Sequence, residues 1–264
     1  MISTPSAPVF AVITAAGSGT RLGSNRPKAL VELDGMSLVE RALRSLHAGG
    51  VDFSVITAPP AYLSEFLDVF STPELSQIAR VVPGSPLSRQ ASVAAGLDAL
   101  ADFGASAPTA SQLTENTPVL IHDAARPLVS AQMVARVIEA LHSGEKAVIP
   151  GLALADTLKS FRIEHQASSA GNADTRYVQA TVDRSGLVAV QTPQGFPWSV
   201  IRELHRQASA SANSEETALT DDAGLAQQVG IPVRIVHGEG RALKITTPID
   251  MVFARAILAE DAQA

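Results

Sequence analysis

Residues 15–22 (AAGSGTRL), with Pro27-Lys28 close behind, concentrate the residue types that bind phosphate. They follow residues 9–14 (VFAVIT), an apolar, β-branched run that reads as a buried first strand. The small side chains of Ala15, Ala16, Gly17, Ser18 and Gly19 let the backbone pass close to a ligand, and the two glycines admit conformations closed to other residues. Successive backbone N–H groups in such a turn form an anion-binding concavity. Arg21 and Lys28 place two positive charges beside it. A tight strand-to-helix turn would need the same glycines; the two cations in register favour a phosphate site for a highly charged ligand, above all a nucleoside triphosphate. Other glycine loops fail. A P-loop ends in Gly-Lys-Ser/Thr, absent here, and the third glycine of a dinucleotide fingerprint is replaced by Leu22. The second strand ends at Thr57-Ala58, without the acid that would hold a ribose.

The elements that position this loop alternate in type. Ser37-Leu38-Val39-Glu40 forms a capping box for a helix running to Gly49-Gly50. Residues 53–57 (FSVIT) and 78–82 read as the second and third strands, and a helix begins near Arg89 or Gln90 and runs through Leu100. Residues 119–122 (VLIH) are a further strand, Ser130 caps a helix to about His142, and residues 147–150 and 233–236 are strands. Thr247-Pro248 opens the last helix, with proline at its first position. The alternation predicts a three-layer α/β/α fold on a mainly parallel sheet, with ligands at the carboxyl ends of the strands, where the loops after Thr14, Val82 and Ile121 meet. Residues 102–117 read as a polar surface loop, and residues 208–217 as another insertion. Residues 151–185 read as a β-hairpin arm leaving the sheet, with strand-like pieces at 157–161 and 177–182 around a soft insertion near 168–174. No composition shift divides the chain, so residues 1–264 are expected to form one domain carrying that arm.

Bulk properties exclude several functions. A net charge of −6 argues against nucleic acid or an anionic membrane as the main partner, and aromatics at 4% leave little to stack bases on. With no cysteine there is neither a disulfide nor a thiolate metal site, and the six histidines show no ligand spacing. No apolar run reaches the ~18 residues of a membrane span. The N-terminal MISTPSAP lacks the basic start and apolar core of a secretory signal, so the expected location is the cytoplasm.

Further motifs follow the first loop in order: Arg89-Gln90-Ala91-Ser92-Val93, His122-Asp123-Ala124-Ala125-Arg126-Pro127, Asp156-Thr157, Thr181-Val182-Asp183-Arg184, Gln191-Thr192-Pro193-Gln194, Thr220-Asp221-Asp222 and Lys244-Ile245-Thr246. Together they resemble the 2-C-methyl-D-erythritol 4-phosphate cytidylyltransferases of the non-mevalonate isoprenoid pathway, over nearly the whole chain. The resemblance implies CMP transfer from CTP to a polyol phosphate, with release of pyrophosphate and with Mg2+ held chiefly by the nucleotide phosphates. It therefore implies no protein metal ligands. Arg21 and Lys28 match the family positions that stabilise charge on the α-phosphate and leaving group, and Arg184 and Lys244 those that hold the substrate phosphate. Ala15, Ala16, Gly84 and Ser92 match cytidine contacts; Asp123 matches a contact to substrate hydroxyls, Arg126 a pocket-shaping residue, and Thr157 and Thr192 small polar contacts.

Local readings remain for several of these. Ser92 can cap a helix, Asp123 and Arg126 can close a turn as an ion pair, and threonine is common in strands. Asp221 and Asp222 read as a helix N-terminal pair, more structural than catalytic. The resemblance also implies a homodimer in which the arm carries Thr157 and Arg184 to the neighbouring subunit's site. The sister ribitol 5-phosphate enzymes tend to carry a bulkier residue before the arginine of HDAARP; Ala125 favours the erythritol branch. A silent nucleotide sensor would have little need of Arg21, Lys28, Arg184 and Lys244. Two stretches depart from the family pattern: Gly84-Ser85-Pro86-Leu87-Ser88, with one glycine and extra length, and the arm insertion at residues 164–176.

Overall fold

The computed structural model describes residues 7–17, 26–106, 113–166, 173–210, 212, 214, 216, 218–219 and 221–263. The first strand, β1 (Phe10–Thr14), has no exposed residue, because apolar side chains point to both faces and each face is covered by helices. A small antiparallel hairpin follows, β2 (Glu32–Leu33) and β3 (Met36–Ser37). Then come α1 (Leu38–Ala48), β4 (Phe53–Ala58), α2 (Leu63–Val69), α3 (Pro73–Ile78), β5 (Ala79–Pro83), α4 (Arg89–Ser106) and β6 (Pro118–Asp123). The second half runs α5 (Ala131–His142), β7 (Val148–Ala153), β8 (Leu158–Gln166), β9 (Ala173–Val182), β10 (Val188–Val190), β11 (Gln194–Pro197), α6 (Trp198–Gln207), α7 (Asp222–Gln228), β12 (Arg234–His237) and α8 (Pro248–Asp261).

The main sheet has the order β10-β7-β11-β6-β1-β4-β5, with β12 pairing to β7. The pairs β1–β4, β1–β6, β4–β5 and β7–β12 are parallel, whereas β10 and β11 run antiparallel to their neighbours. Alternate residues of β1 serve opposite layers. Ala11 and Ile13 pack with Val39, Leu43 and Leu46 of α1 and Val137 of α5; Phe10 and Val12 pack with Val93 and Leu97 of α4 and Ile201 of α6. The chain goes from β1 outward to β5 and returns on the other side as β6. The crevice at the carboxyl ends of β1 and β6 is therefore a topological switch point, where ligands bind in open α/β sheets.

Local chemistry fixes the helix ends. Ser37, Ser130 and Asp221 accept from backbone N–H groups at the starts of α1, α5 and α7, and Thr247 and Asp250 form a reciprocal capping box on α8. Helix α4 approaches the sheet closely at Gly96: a Cβ there would lie 2.4 Å from Val12 Cγ1, so any side chain would push the helix off β1. The helix outlasts Leu100, and residues 102–106 are helical instead of loop, because the Phe103 ring stacks on Phe53 with centroids 4.2 Å apart. Similarly, Ile78 ends α3 instead of starting a strand. The expected arm is a separate antiparallel pair, β8–β9, longer than the sequence suggested. No described helix is long and apolar enough to cross a membrane.

Candidate active site

A cavity of about 480 Å³ opens at the switch point. It is lined by Thr14 at the end of β1 with Ala15, Ala16 and Gly17 after it, by Ser85 and Ser88 before α4 with Arg89 and Ser92 in its first turn, by Asp123 at the end of β6 with Ala124 and Ala125 after it, and by Ala218 and Leu219. Lys28 and Lys244 also line it. Two backbone bonds splay the β1 loop between its neighbours: Ala15 N–H donates to Thr57 O at 3.0 Å, and Ala124 N–H to Thr14 O at 3.1 Å. Gly17 is not in a left-handed conformation, and a Cβ on it would meet nothing within 4 Å among the described residues. Gly84 lies behind, packed on Ala16 and the Ser92 hydroxyl. Ser18, Gly19 and Arg21 fall outside the described residues.

Each cation of the cavity is set by an anchored backbone. Lys28 begins a short 3-10 turn (Lys28–Leu30) whose Ala29 and Leu30 are buried, so the turn cannot rotate without exposing them. Lys244 precedes Ile245, which is wholly buried and donates its N–H to Ala125 O at 2.8 Å. That bond brings Lys244 Nζ to 2.8 Å from Asp123 Oδ2. The other oxygen, Asp123 Oδ1, accepts from Arg89 Nε at 3.0 Å and from Thr14 Oγ1 at 3.2 Å. Burial by itself would raise the Asp123 carboxyl, but the charges of Arg89 and Lys244 outweigh it and hold the group well below the usual carboxylate range. Arg89 is held above its ordinary value: its burial is overcome by Asp222 and Asp123, and Nη1 lies 2.8 Å from Asp222 Oδ2.

Several residues of the expected site also hold its frame. Ser88, not Ser92, caps α4, accepting from Ala91 N–H at 3.0 Å. The buried Ser92 hydroxyl accepts from Ser85 N–H and donates toward Ser85 O and Ser88 O, so it shapes the loop that faces the cavity. Thr192 sits behind Asp123, 5% exposed, and its hydroxyl accepts from Asp123 N–H at 3.2 Å. Arg126 does not line the cavity: its guanidinium donates to Ala242 O and Val190 O, tying the β6 loop to the segment that carries Lys244. Asp123 and Arg126 thus form no local ion pair. Thr157 and Arg184 are exposed on the arm, away from this chain's cavity, with Arg184 donating to Ala155 O. Arg89 reads from the sequence as the start of a helix and of a motif, with no role at the site assigned to it.

A family model described as IspD: 2-C-methyl-D-erythritol 4-phosphate cytidylyltransferase matches residues 9–260. The chain belongs to this cytidylyltransferase family. It is 41% identical over 253 residues to the 2-C-methyl-D-erythritol 4-phosphate cytidylyltransferase of Streptomyces avermitilis, covering 94% of this chain and 91% of that one. The crystal structure of the enzyme of that name from Thermus thermophilus superposes with a TM-score of 0.67 at 33% identity, over 95% of this chain and 98% of that one. The 4-diphosphocytidyl-2C-methyl-D-erythritol synthase structure from Anaerococcus prevotii gives a TM-score of 0.72 at 28% identity, over 96% of both chains. The chain is accordingly an enzyme of the nucleotidyltransferase class.

In this cytidylyltransferase the described residues contain no cluster of three or more metal-ligating side chains, and the cavity wall carries one carboxylate, Asp123. A divalent metal ion carried on nucleotide phosphates would find Asp123 as the one carboxylate among the described lining residues. When bound, such an ion neutralises phosphate charge.

Behind Asp123, His122 is fully buried. Its Nε2 faces Arg126 O at 3.2 Å and therefore donates, leaving Nδ1 to accept from the Thr192 hydroxyl at 3.0 Å. Burial pushes its pKa down to about 4. The unfolded chain takes up this proton near pH ~6.5, so between the two values it binds more protons than the native state and stability falls as pH drops. Urea unfolding at pH 7 and pH 4.5 measures this. Wild type should lose on the order of 2–3 kcal/mol from this group over that interval, and His122→Gln should lack that component; an equally steep fall in the variant would refute it.

Proposed function

We propose that this chain transfers the cytidylyl group of CTP to 2-C-methyl-D-erythritol 4-phosphate, releasing pyrophosphate. A phosphate oxygen of the acceptor attacks the α-phosphorus of CTP in line, and the bond from that phosphorus to the bridging oxygen of pyrophosphate breaks. The product is 4-diphosphocytidyl-2-C-methyl-D-erythritol. Such a reaction needs positioning and charge stabilisation and no covalent nucleophile. The observation that carries the reading is the convergence of Lys28, Lys244 and the Arg89–Asp123 pair on one cavity at the switch point of this family's fold. Lys28, with Arg21, faces the charge on the α-phosphate and leaving group; Lys244 holds the acceptor phosphate; Asp123 meets its hydroxyls. The small Ala125 in the cavity wall leaves room for a branched four-carbon polyol.

The test is pyrophosphate release with magnesium, each of the four nucleoside triphosphates, and either methylerythritol phosphate or ribitol 5-phosphate. Release with CTP and methylerythritol phosphate alone supports the reading. Preference for ribitol 5-phosphate would replace it with the sister activity, and release with neither would leave a nucleotide sensor. We place the enzyme in the cytoplasm, where CTP is available.

We further read residues 151–185 as an arm by which two copies of one nucleotidyltransferase domain exchange Thr157 and Arg184. Its strands expose Phe161, Ile163, Tyr177 and Val178, the last at 67%, an apolar surface suited to a second copy. Mixing Lys28→Ala with Arg184→Ala subunits should then restore up to about a quarter of wild-type turnover, because half of the random dimers are mixed and carry one intact site of two. No rescue after exchange of subunits would count against a shared site.

A further inference from the structure

Charges of opposite sign alternate along a line that starts in the cavity and ends outside it: Lys244, Asp123, Arg89, Asp222, with His205 closing the far end. Lys244, Asp123 and Arg89 line the cavity; Asp222 and His205 lie behind it, 1% and 5% exposed. Arg89 spans the two carboxylates with different nitrogens, Nε at 3.0 Å from Asp123 and Nη1 at 2.8 Å from Asp222. A planar guanidinium offers each fixed acceptor a separate nitrogen in a rigid fork, whereas a lysine would have to serve both from one nitrogen. The outer carboxylate is itself immobilised. Asp222 Oδ1 accepts from His205 Nε2 at 2.9 Å, and Asp222 N–H donates to Gln194 Oε1 at 3.1 Å. These partners come from α6 and β11, so the far end of the line is set by the core.

We propose that Asp222, held by His205, is a positioning residue that acts through Arg89 on Asp123 and Lys244. This rests on the cytidylyltransferase reading of the cavity. Without its outer partner, the Arg89 guanidinium turns both of its donor edges toward Asp123. The Asp123 carboxylate then rotates and releases Lys244 Nζ from Oδ2. Lys244 stays in the cavity but loses the orientation that aligns the acceptor phosphate for attack. A loss of alignment of this kind lowers the rate of the bound complex more than it weakens binding.

The experiment is a double-mutant cycle with Asp222→Asn and Arg89→Lys, read by kcat and KM for CTP and the acceptor. A second readout, independent of turnover, is the rate at which Lys244 is modified by an amine-reactive reagent, mapped by peptide mass. Each single variant should lower kcat by about tenfold or more with KM changed less than about threefold, and the double variant should fall no further than the worse single. Asp222→Glu should recover part of kcat. In Asp222→Asn, Lys244 should react at least about threefold faster, since its amine is no longer held on the carboxylate. Losses in kcat that multiply in the double variant, or unchanged Lys244 reactivity, would overturn the proposal. If Asp222→Asn does not fold, His205→Gln takes its place under the same criteria. A wild type that releases no pyrophosphate from CTP and the acceptor would instead sink the cytidylyltransferase reading, while the Lys244 modification rates still decide whether Asp222 positions that lysine.

Discussion

Lys28→Ala should fold like the wild type and turn over about a hundredfold more slowly, a loss of transition-state stabilisation of about 3 kcal/mol. The fold should survive because the 3-10 turn is anchored by Ala29 and Leu30, both 4% exposed, rather than by the lysine side chain. Rate should suffer because a cation fixed at the cavity wall acts on charge that grows as the pyrophosphate leaves. Contact with the ground-state triphosphate would raise KM instead, so the split between kcat and KM identifies the role. Initial rates of pyrophosphate release at saturating CTP, with a thermal melt as control, measure it. Turnover within threefold of wild type would remove Lys28 from the transition state.

Asp123→Asn should damage both stability and activity. The carboxylate faces Arg89 and Lys244, two cations on elements far apart in sequence, and is 8% exposed. Removing one partner of a buried ion pair leaves an uncompensated charge and costs about 3–5 kcal/mol. The expected loss is about 3 kcal/mol, the lower end, because the Lys244 side chain is 42% exposed and water screens part of its charge. Activity should fall at least about a hundredfold, since both cations lose the group that orients them. Urea unfolding and initial rates test the two halves separately. A variant within 1 kcal/mol of wild type would show that the cluster contributes little to the fold.

What could be read in the chain followed from local chemistry. Ser37, Ser130 and Thr247-Pro248 announce helix starts because a side-chain oxygen satisfies an exposed N–H within three residues, a relation visible in sequence. The β1 loop and Lys28 were legible because glycine spacing and cations in register point to an anion, whereas Lys244 was legible only through the family resemblance of its Lys244-Ile245-Thr246 motif. What local signals do not encode are contacts between distant residues. Arg89 meets Asp222 across 133 positions, and no periodicity encodes that meeting. The inward turn of Thr192 and the capture of Arg126 by the carbonyls of Val190 and Ala242 depend on how β6, β10 and β11 pack. Helix α4 outran its expected end because Phe103 found Phe53, a tertiary contact that overrode weak local signals.

One direct displacement at the α-phosphorus, between cations fixed around this cavity and with no covalent enzyme intermediate, is the central claim. The configuration at phosphorus, after turnover of chirally pure CTP carrying sulfur on the α-phosphate, reports that step. A single in-line attack inverts the centre, and inversion is the expected result. Retention would require two displacements through an enzyme-bound cytidylyl group and would contradict it.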